Sequence, residues 1–380
     1  MTIRFIHTSD WQIGKVFRFV DNATMGLLQE ARLAAITRLG ELARAHQAAR
    51  VLVAGDVYDG IALSARSLNQ PLERMRNFPA VHWHLLPGNH DPHRPNGLWD
   101  QLRHGDLPPN VHLHTAPEPA VFADDSFALL PAPLLYRHTL VDPTAYMDDV
   151  ELSTDLVRIG LAHGTVVGFT SDETAAPNRI APDRARRSGL SYLALGDWHG
   201  QTEINERSWY SGTPETDSFQ VVGGGKALLV ELEGAAALPS VSPLATGHYT
   251  WLSMSEHLAS RADIDRLADK LRAVSANPER VLVRLTIEGA LSLEDRQHFE
   301  QQIRTIAAAA LCFLAIDDRH LLPSPTAEDL DRIDRAGFIR AAAEELKHKA
   351  GEGSAHEREI AALALQRLYV EHMKLEAGER

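Results

Sequence analysis

The chain has 380 residues, roughly two and a half times a ~150-residue domain, so two or three domains are expected. With 44% hydrophobic and 23% charged residues it is not a disordered chain, and a single cysteine, Cys312, excludes internal disulfides and cysteine-cluster metal sites. The formal charge of -13, from 38 basic and 51 acidic residues, excludes non-specific adhesion to nucleic acid through the whole surface but leaves room for a local basic patch.

The chain opens on Ile3 to Thr8, a short apolar run that reads as a strand rather than as a targeting segment. Leu27 to Ala45 follows with helical periodicity, placing Leu28, Ala31, Ala35, Leu39 and Leu42 on one stripe. Strands are then predicted at Val51 to Ala54, Val81 to Leu86, Phe127 to Leu130, Val157 to Ala162, Tyr192 to Leu195 and Ala227 to Glu231. Strand and helix in alternation predict a layered α/β domain over residues 1–246. The texture changes near Gly247. Ser255 to Ala273 reads as a helix with Ser255 as its N-cap, Val281 to Ile287 as a strand, Ser292 to Ala310 as a helix and Leu311 to Ile316 as a strand. These predict a smaller α/β domain over 247–325. Pro323 to Pro325 closes it, and helices at Phe338 to Ala350 and His356 to Leu375 form a terminal helical segment, 326–380. The apolar neighbours of Cys312 predict a buried, inert thiol. No run approaches the ~18 apolar residues of a membrane span, so a cytoplasmic protein with no membrane partner is expected.

Polar residues gather where predicted strands end, the place where layered α/β domains bind ligands. The first strand leads to Asp10-Trp11-Gln12 and the next to Gly55-Asp56-Val57-Tyr58-Asp59. Gly88-Asn89-His90-Asp91, Ala162-His163-Gly164 and Gly196-Asp197-Trp198-His199-Gly200 close later strands. Oxygen and imidazole donors in this mixture suit Mn, Fe or Zn, and two ions could share one bridging carboxylate. The adjoining glycines allow backbone and short side chains to approach a metal and a phosphate closely.

Across residues 1–232 these motifs, in this order, resemble the calcineurin-like metallophosphoesterase superfamily, and within it the DNA-repair nuclease branch. The resemblance implies a layered β-sandwich flanked by helices, with a smaller C-terminal α/β capping domain. It implies two divalent ions, Mn2+ first among Mn, Fe, Zn and Mg. Asp10, Gln12 and His199 would hold one, and Asn89, His163 and Asp197 the other, with Asp56 bridging. His90 would act as general acid or charge stabiliser at the scissile phosphate, oriented by Asp59. Two departures stand out: Gln12 and Asp197 occupy positions where the family carries histidine. Both keep a donor atom and shift preference toward harder ions. Two cations roughly 3.5–4 Å apart lower the pKa of a bridging water, whose hydroxide attacks phosphorus in line. His90 then protonates the leaving oxygen.

Other residues have two readings each. His82 and His84 share one face of a strand, as do His112 and His114, and structural roles are expected for both pairs. His93 and Arg94 could touch substrate. Arg179, Arg184, Arg186 and Arg187 form a basic cluster that either tracks a nucleic-acid backbone or coats a solvated helix, and Lys15, Arg18 and Arg94 could add to a basic rim. Trp11, Tyr58 and Trp198 either pack beneath the site or stack on bases. The last helix docks on its own core or on a partner. The resemblance implies DNA as substrate, an SbcC-like coiled-coil ATPase as partner, and a homodimer. A small-molecule phosphodiesterase or phosphomonoesterase, and a catalytically weak scaffold protein, are the rival functions.

Overall fold

The computed structural model describes residues 2–122, 126–169, 177–324, 338–352 and 354–376. Pro325 and the start of the expected terminal segment lie outside the described residues. The chain divides into two compact units, Met1–Tyr249 and Thr250–Arg380.

The first unit runs β1 (Ile3–Thr8), α1 (Asn22–Ala45), β2 (Arg50–Val53), α2 (Ala65–Arg76), β3 (His82–Leu85), α3 (Leu98–His104), β4 (Val111–Leu113), β5 (Ala120–Phe122), β6 (Phe127–Ala132), β7 (Val157–His163), β8 (Thr165–Val166), β9 (Arg179–Ile180), α4 (Arg184–Arg187), β10 (Tyr192–Gly196), β11 (Thr202–Asn205), β12 (Ser208–Tyr210), β13 (Lys226–Leu232) and β14 (Ser240–Ala245). Two six-stranded sheets result, ordered β14-β13-β1-β2-β3-β4 and β11-β12-β10-β7-β6-β5. β1, β2, β3 and β4 are parallel neighbours, as are β6, β7 and β10, so their carboxyl ends lie together.

These strands are buried on both faces, and their alternation decides which layer each side chain joins. Ile6, Val51, Val53, Trp83 and Leu85 pack with the buried stripe of α1, including Ile36 and Leu39. Phe5, Leu52, Phe127, Leu129, Leu161 and Tyr192 fill the space between the sheets. Helix α1 starts at Asn22, earlier than its apolar periodicity predicts, because Asp21 Oδ1 accepts from the amides of Ala23 (2.8 Å) and Thr24 (2.9 Å). His7 crosses between the sheets: its Nδ1 pairs with the Tyr192 hydroxyl (2.9 Å) and its Nε2 with Leu195 O (3.1 Å).

The two histidine pairs join into one ladder. His82 Nδ1 meets His112 Nε2 at 3.0 Å, and His84 Nδ1 meets His114 Nε2 at 3.0 Å. The rings stack in a zigzag, 82 on 112 on 84 on 114, at centroid separations of 5.3, 4.8 and 5.2 Å. Phe122 caps His84 edge-on. Each pair holds if one ring donates and the other accepts, so the accepting ring must be a neutral imidazole.

The second unit holds β15 (Thr250–Leu258), α5 (Arg261–Arg272), β16 (Val281–Leu291), α6 (Leu293–Phe299) continued by a wide turn over Glu300–Ala307, β17 (Phe313–Pro323), α7 (Phe338–Glu352) and α8 (Ala355–Glu376). Its parallel sheet is ordered β15-β16-β17. The expected helix from Ser255 is corrected. Ser255 and His257 pair in register with Thr286 and Glu288 as strand, and Ser260 caps α5 by accepting from Asp263 N. Cys312 is half-buried rather than buried, because it stands at the entry to β17. Helix α8 packs on α7 and β16 of its own unit. Among the described residues no helix is long and apolar enough to cross a membrane.

Candidate metal centre

The loops that follow β1 and β2 run side by side. Asp10 N donates to Gly55 O (3.1 Å) and Gln12 N to Asp56 O (2.9 Å). Across the sandwich, Gly196 on β10 is in register with His163 on β7. This brings loops from both sheets to one place. The approach is tight: a Cβ on Gly88 would stand 2.2 Å from Asp56 Oδ1, and one on Gly196 would stand 1.9 Å from Ala54 O. Four of the expected ligands have left-handed backbones, Asp10 (φ 55°), Gln12 (43°), Asp56 (53°) and Asp197 (104°). Each such residue costs about 1–2 kcal/mol, and strain of this kind clusters where side chains must converge on a ligand.

Asp10, Asp56 and His163, all buried, bring one ligand atom each within 4.8 Å of one another. The His163 tautomer is set by its Nδ1–H, which donates to Ala54 O (2.8 Å). Its Nε2 then faces Asn89 Oδ1 at 3.3 Å, Asp56 Oδ1 at 3.5 Å and Asp197 Oδ1 at 3.8 Å. Asp10 Oδ1 is buried with no hydrogen-bond partner, while its Oδ2 accepts from Ser9 Oγ (2.6 Å). These oxygens draw positive charge to Nε2, supplied either by a proton on that nitrogen or by a cation in its place. Burial disfavours charge on His163, but the carboxylates of Asp56, Asp10 and Asp197 outweigh it and raise the imidazole to about 9. The donor set of carboxylates, amide oxygen and imidazole therefore fits a divalent metal. Asp197 is the loosest member, since its Oδ2 is taken by Thr165 Oγ1 (2.8 Å).

The other expected set is arranged differently. Gln12 Nε2 lies 3.3 Å from His199 Nε2, and Gln12 Oε1 accepts from Lys15 Nζ at 2.8 Å. Lys15 Nζ also donates to Asp217 Oδ2 (2.5 Å), and His199 Nδ1 donates to Asp217 Oδ1 (3.0 Å). Asp10 Oδ1 is 3.8 Å from His199 Nε2. Burial disfavours an ionised Asp217, but its bond to His199 and the charges of His199, Arg32 and Lys15 hold the carboxyl far below the usual range. Sequence reasoning missed Asp217 and placed Lys15 on a solvent-facing rim.

His90 stands beside the acceptor cluster. Its Nδ1 meets Asp59 Oδ1 at 2.9 Å, its backbone N–H donates to Asp56 Oδ1 (2.9 Å), and its Nε2 is 4.0 Å from Asp56 Oδ2. The bond to Asp59 raises its pKa, against burial and with help from Asp56. Asp91, from the same motif, clamps the loop instead. Its Oδ1 accepts from Gly88 N (2.7 Å) and its Oδ2 from Tyr58 N (3.0 Å). Burial and the charge of Asp56 raise it to about 7.

The expected substrate contacts divide. Arg184 is corrected: it is buried, and its guanidinium bonds Thr144 Oγ1 (2.9 Å) and pairs with Asp142 (2.8 Å) and Asp148 (2.5 Å), which makes it a structural strut. Arg186 and Arg187 are exposed, but each pairs with an acid of its own neighbourhood, Asp183 for the first and Asp148 for the second. Arg94 is exposed, and His93 Nε2 meets Asp100 Oδ1 at 3.2 Å. Trp11 and Tyr58 are core residues, whereas Trp198 is 45% exposed and edge-on to Phe169.

The chain is similar to known proteins in three kinds of comparison. The calcineurin-like phosphoesterase family matches residues 3–230. The SbcD component of the SbcCD nuclease of Rhodobacter capsulatus is 34% identical over 95 residues, which is 24% of this chain and 22% of that protein, so the match spans about a fifth of that relative's length. The solved structure of TT1561 from Thermus thermophilus is similar at 12% identity and a TM-score of 0.42, covering 65% of this chain and 100% of that one. A dimetal phosphatase from Danio rerio is similar at 11% identity and a TM-score of 0.35, covering 63% and 98%. With the family matched over more than half of its length, and with the motifs of that family brought to one place, the chain belongs to the calcineurin-like phosphoesterases.

Proposed function

We propose that this chain is a metal-dependent phosphodiesterase that cleaves DNA, as an exo- or endonuclease working in DNA repair. The observation that carries the hydrolytic part is the cluster of Asp10, Asp56, Asn89 and His163, whose acceptors face one another, with the His90–Asp59 pair at its edge. The preference for DNA is supported by the short stretch of likeness to a component of the SbcCD nuclease. A divalent ion held by Asp56, His163, Asn89 and Asp10, with Asp197 beside them, would act as a Lewis acid toward the phosphoryl oxygens and activate the attacking water. Manganese is the proposed metal, since carboxylate and amide oxygens dominate the donor set.

The chain's own residues do the rest. Asp59 holds His90 Nδ1 and keeps the ring turned so that Nε2 faces the reacting centre. From there His90 donates a proton to the departing oxygen, or stabilises charge on the phosphate. The exposed ring of Trp198 offers a stacking surface for a base. Arg94, Arg186, Arg187 and His93 are proposed contacts to the nucleic-acid backbone. An SbcC-like ATPase and a second copy of this chain are proposed partners, on the strength of the resemblance.

A second reading, hydrolysis of small phosphate esters, is favoured by one feature. Residues 248–380 hold 18 basic and 23 acidic residues, a poor balance for a nucleic-acid clamp. Incubation with Mn2+ and single-stranded DNA, double-stranded DNA, a cyclic nucleotide and p-nitrophenyl phosphate separates the two. DNA cleavage that is lost in His90→Ala and Asp56→Ala is the expected outcome. Turnover of the small esters beside intact DNA would replace it with the second reading, and no turnover and no bound metal would leave a scaffold.

A further inference from the structure

Helix α1 buries an apolar stripe, and Arg32 is buried beside it. A guanidinium taken out of water must find acceptors for its donors. Arg32 Nε donates to Trp11 O (2.7 Å), one terminal nitrogen to Glu215 O (3.0 Å), and the other to Asp10 O (2.9 Å) and Thr213 Oγ1 (3.4 Å). All four acceptors are neutral oxygens, so these bonds fix backbone instead of pairing charge. Three of them are carbonyls on two loops, the one after β1 and the one between β12 and β13. Thr213 Oγ1 reaches the same carbonyls, Asp10 O (2.9 Å) and Glu215 O (2.9 Å). One turn before Arg32, Gln29 Nε2 donates to Lys15 O (2.8 Å), so α1 grips the β1 loop at two points on one face. That loop is held from its other side by its amides, Asp10 N on Gly55 O and Gln12 N on Asp56 O. Between the two sets of bonds Asp10 and Gln12 keep left-handed backbones, which side chains disfavour. Relaxing Asp10 to an ordinary backbone would turn its carboxylate away from Asp56 and His163.

Resting on the reading of this centre as a metal-dependent phosphoesterase, we infer that Arg32 is a positioning residue of the metal centre. It holds the carbonyls of Asp10 and Trp11, keeps the Asp10 carboxylate aimed at Asp56 and His163, and thereby sets the affinity for the ion. It acts through Asp10 and not on the substrate. The role needs the planar fork: a lysine would carry the same charge on one nitrogen and could not meet carbonyls of two loops at once. Arg184 is the internal comparison. It is equally buried, and its partners Thr144, Asp142 and Asp148 lie outside the centre.

Metal affinity tests this without recourse to activity. The full chain and its variants are titrated calorimetrically with Mn2+, and their metal-free unfolding is followed by circular dichroism. Arg32→Met should bind Mn2+ about 100-fold more weakly than the parent, and Arg32→Lys and Thr213→Val about tenfold, the span found for partners that orient a ligand. Arg184→Met should lose stability and keep the parent's affinity. Arg32→Lys and Thr213→Val decide the question if Arg32→Met does not fold. Folded Arg32 and Thr213 variants with the parent's affinity would overturn the inference and leave the metal-dependent reading intact. So would an equal loss of affinity in Arg184→Met, which would trace the effect to stability alone, and so would full rescue by Arg32→Lys, which would trace it to charge. A parent chain that binds no Mn2+ would overturn the metal-dependent reading and the inference with it.

Discussion

At one end of the metal centre His163 Nε2 meets Asn89, Asp56 and Asp197 oxygens; at the other, His199 Nε2 meets the Gln12 amide. Both imidazoles have Nδ1 fixed by a partner, Ala54 O for His163 and Asp217 for His199. In the sequence both are histidines after a strand end. The first set crowds oxygens of Asn89, Asp56 and Asp197 around one imidazole nitrogen. In the second, Gln12 and His199 are bonded to Lys15 and Asp217, while Asp10 Oδ1 stands 3.8 Å from His199 Nε2 with no hydrogen-bond partner. A motif therefore identifies donor atoms, and only their partners decide whether those atoms are available.

The sharpest way to break this contrast is Asp56→Ala. It removes the carboxylate nearest His163 Nε2 and should abolish both metal binding and phosphoester cleavage, as read by elemental analysis and turnover. His90→Ala should leave the ion in place and lower turnover by about 10²–10⁴-fold, the range for a general acid. Equal metal content beside that loss would separate its role from ligation. Asp59→Asn, which keeps the shape but weakens the hold on His90, should lower turnover by roughly 10–100-fold, as outer partners of a functional group do.

Asp217→Ala acts on the other half. It leaves Lys15 and His199 without their shared carboxylate and should cost about 3 kcal/mol of stability, as breaking a buried ion pair does. Denaturant unfolding measures it, and an unchanged midpoint would mean that Asp217 does not hold the two side chains in solution. The smallest effect lies outside both halves, in the histidine ladder. Burial, with His112 adding to it, lowers His114 to about 4, and burial with His114, His112, Arg50 and His82 holds His84 well below its ordinary value. These rings are neutral in the fold but take up protons in the unfolded chain below about 6.5. Stability is therefore fully present above pH 6.5 and is lost as pH falls toward 4. Melting should drop by about 5 °C between pH 7 and pH 4.5, and His84→Phe should flatten that dependence.

Much of the centre was legible before any coordinates. Asp10, Asp56, Asn89, His90, His163 and His199 each follow a short apolar run, and parallel strands necessarily bring such ends to one edge. The Asp59–His90 pair was expected from the family resemblance rather than from the residues alone, and the two side chains stand 2.9 Å apart. Arg184 was misread because a run of arginines looks alike in solvent and in a buried ion-pair strut; Asp142 and Asp148, its partners, lie about forty residues away. Ser255 was misread as a cap because local sequence offers three serines, and pairing with β16 took Ser253 and Ser255 into the strand and left Ser260 as the cap.

The sequence by itself determined the family, the layered α/β order and the inventory of donor atoms, because strand periodicity and strand-end motifs are local properties. Tertiary structure alone decided which donors remain free. Asp217 lies in the loop between β12 and β13, with no motif around it, and reaches His199 and Lys15 only when that loop folds back over the end of the sandwich. Hydrogen-bond satisfaction depends on every neighbour within about 3 Å, and those neighbours come from segments that the linear order keeps far apart.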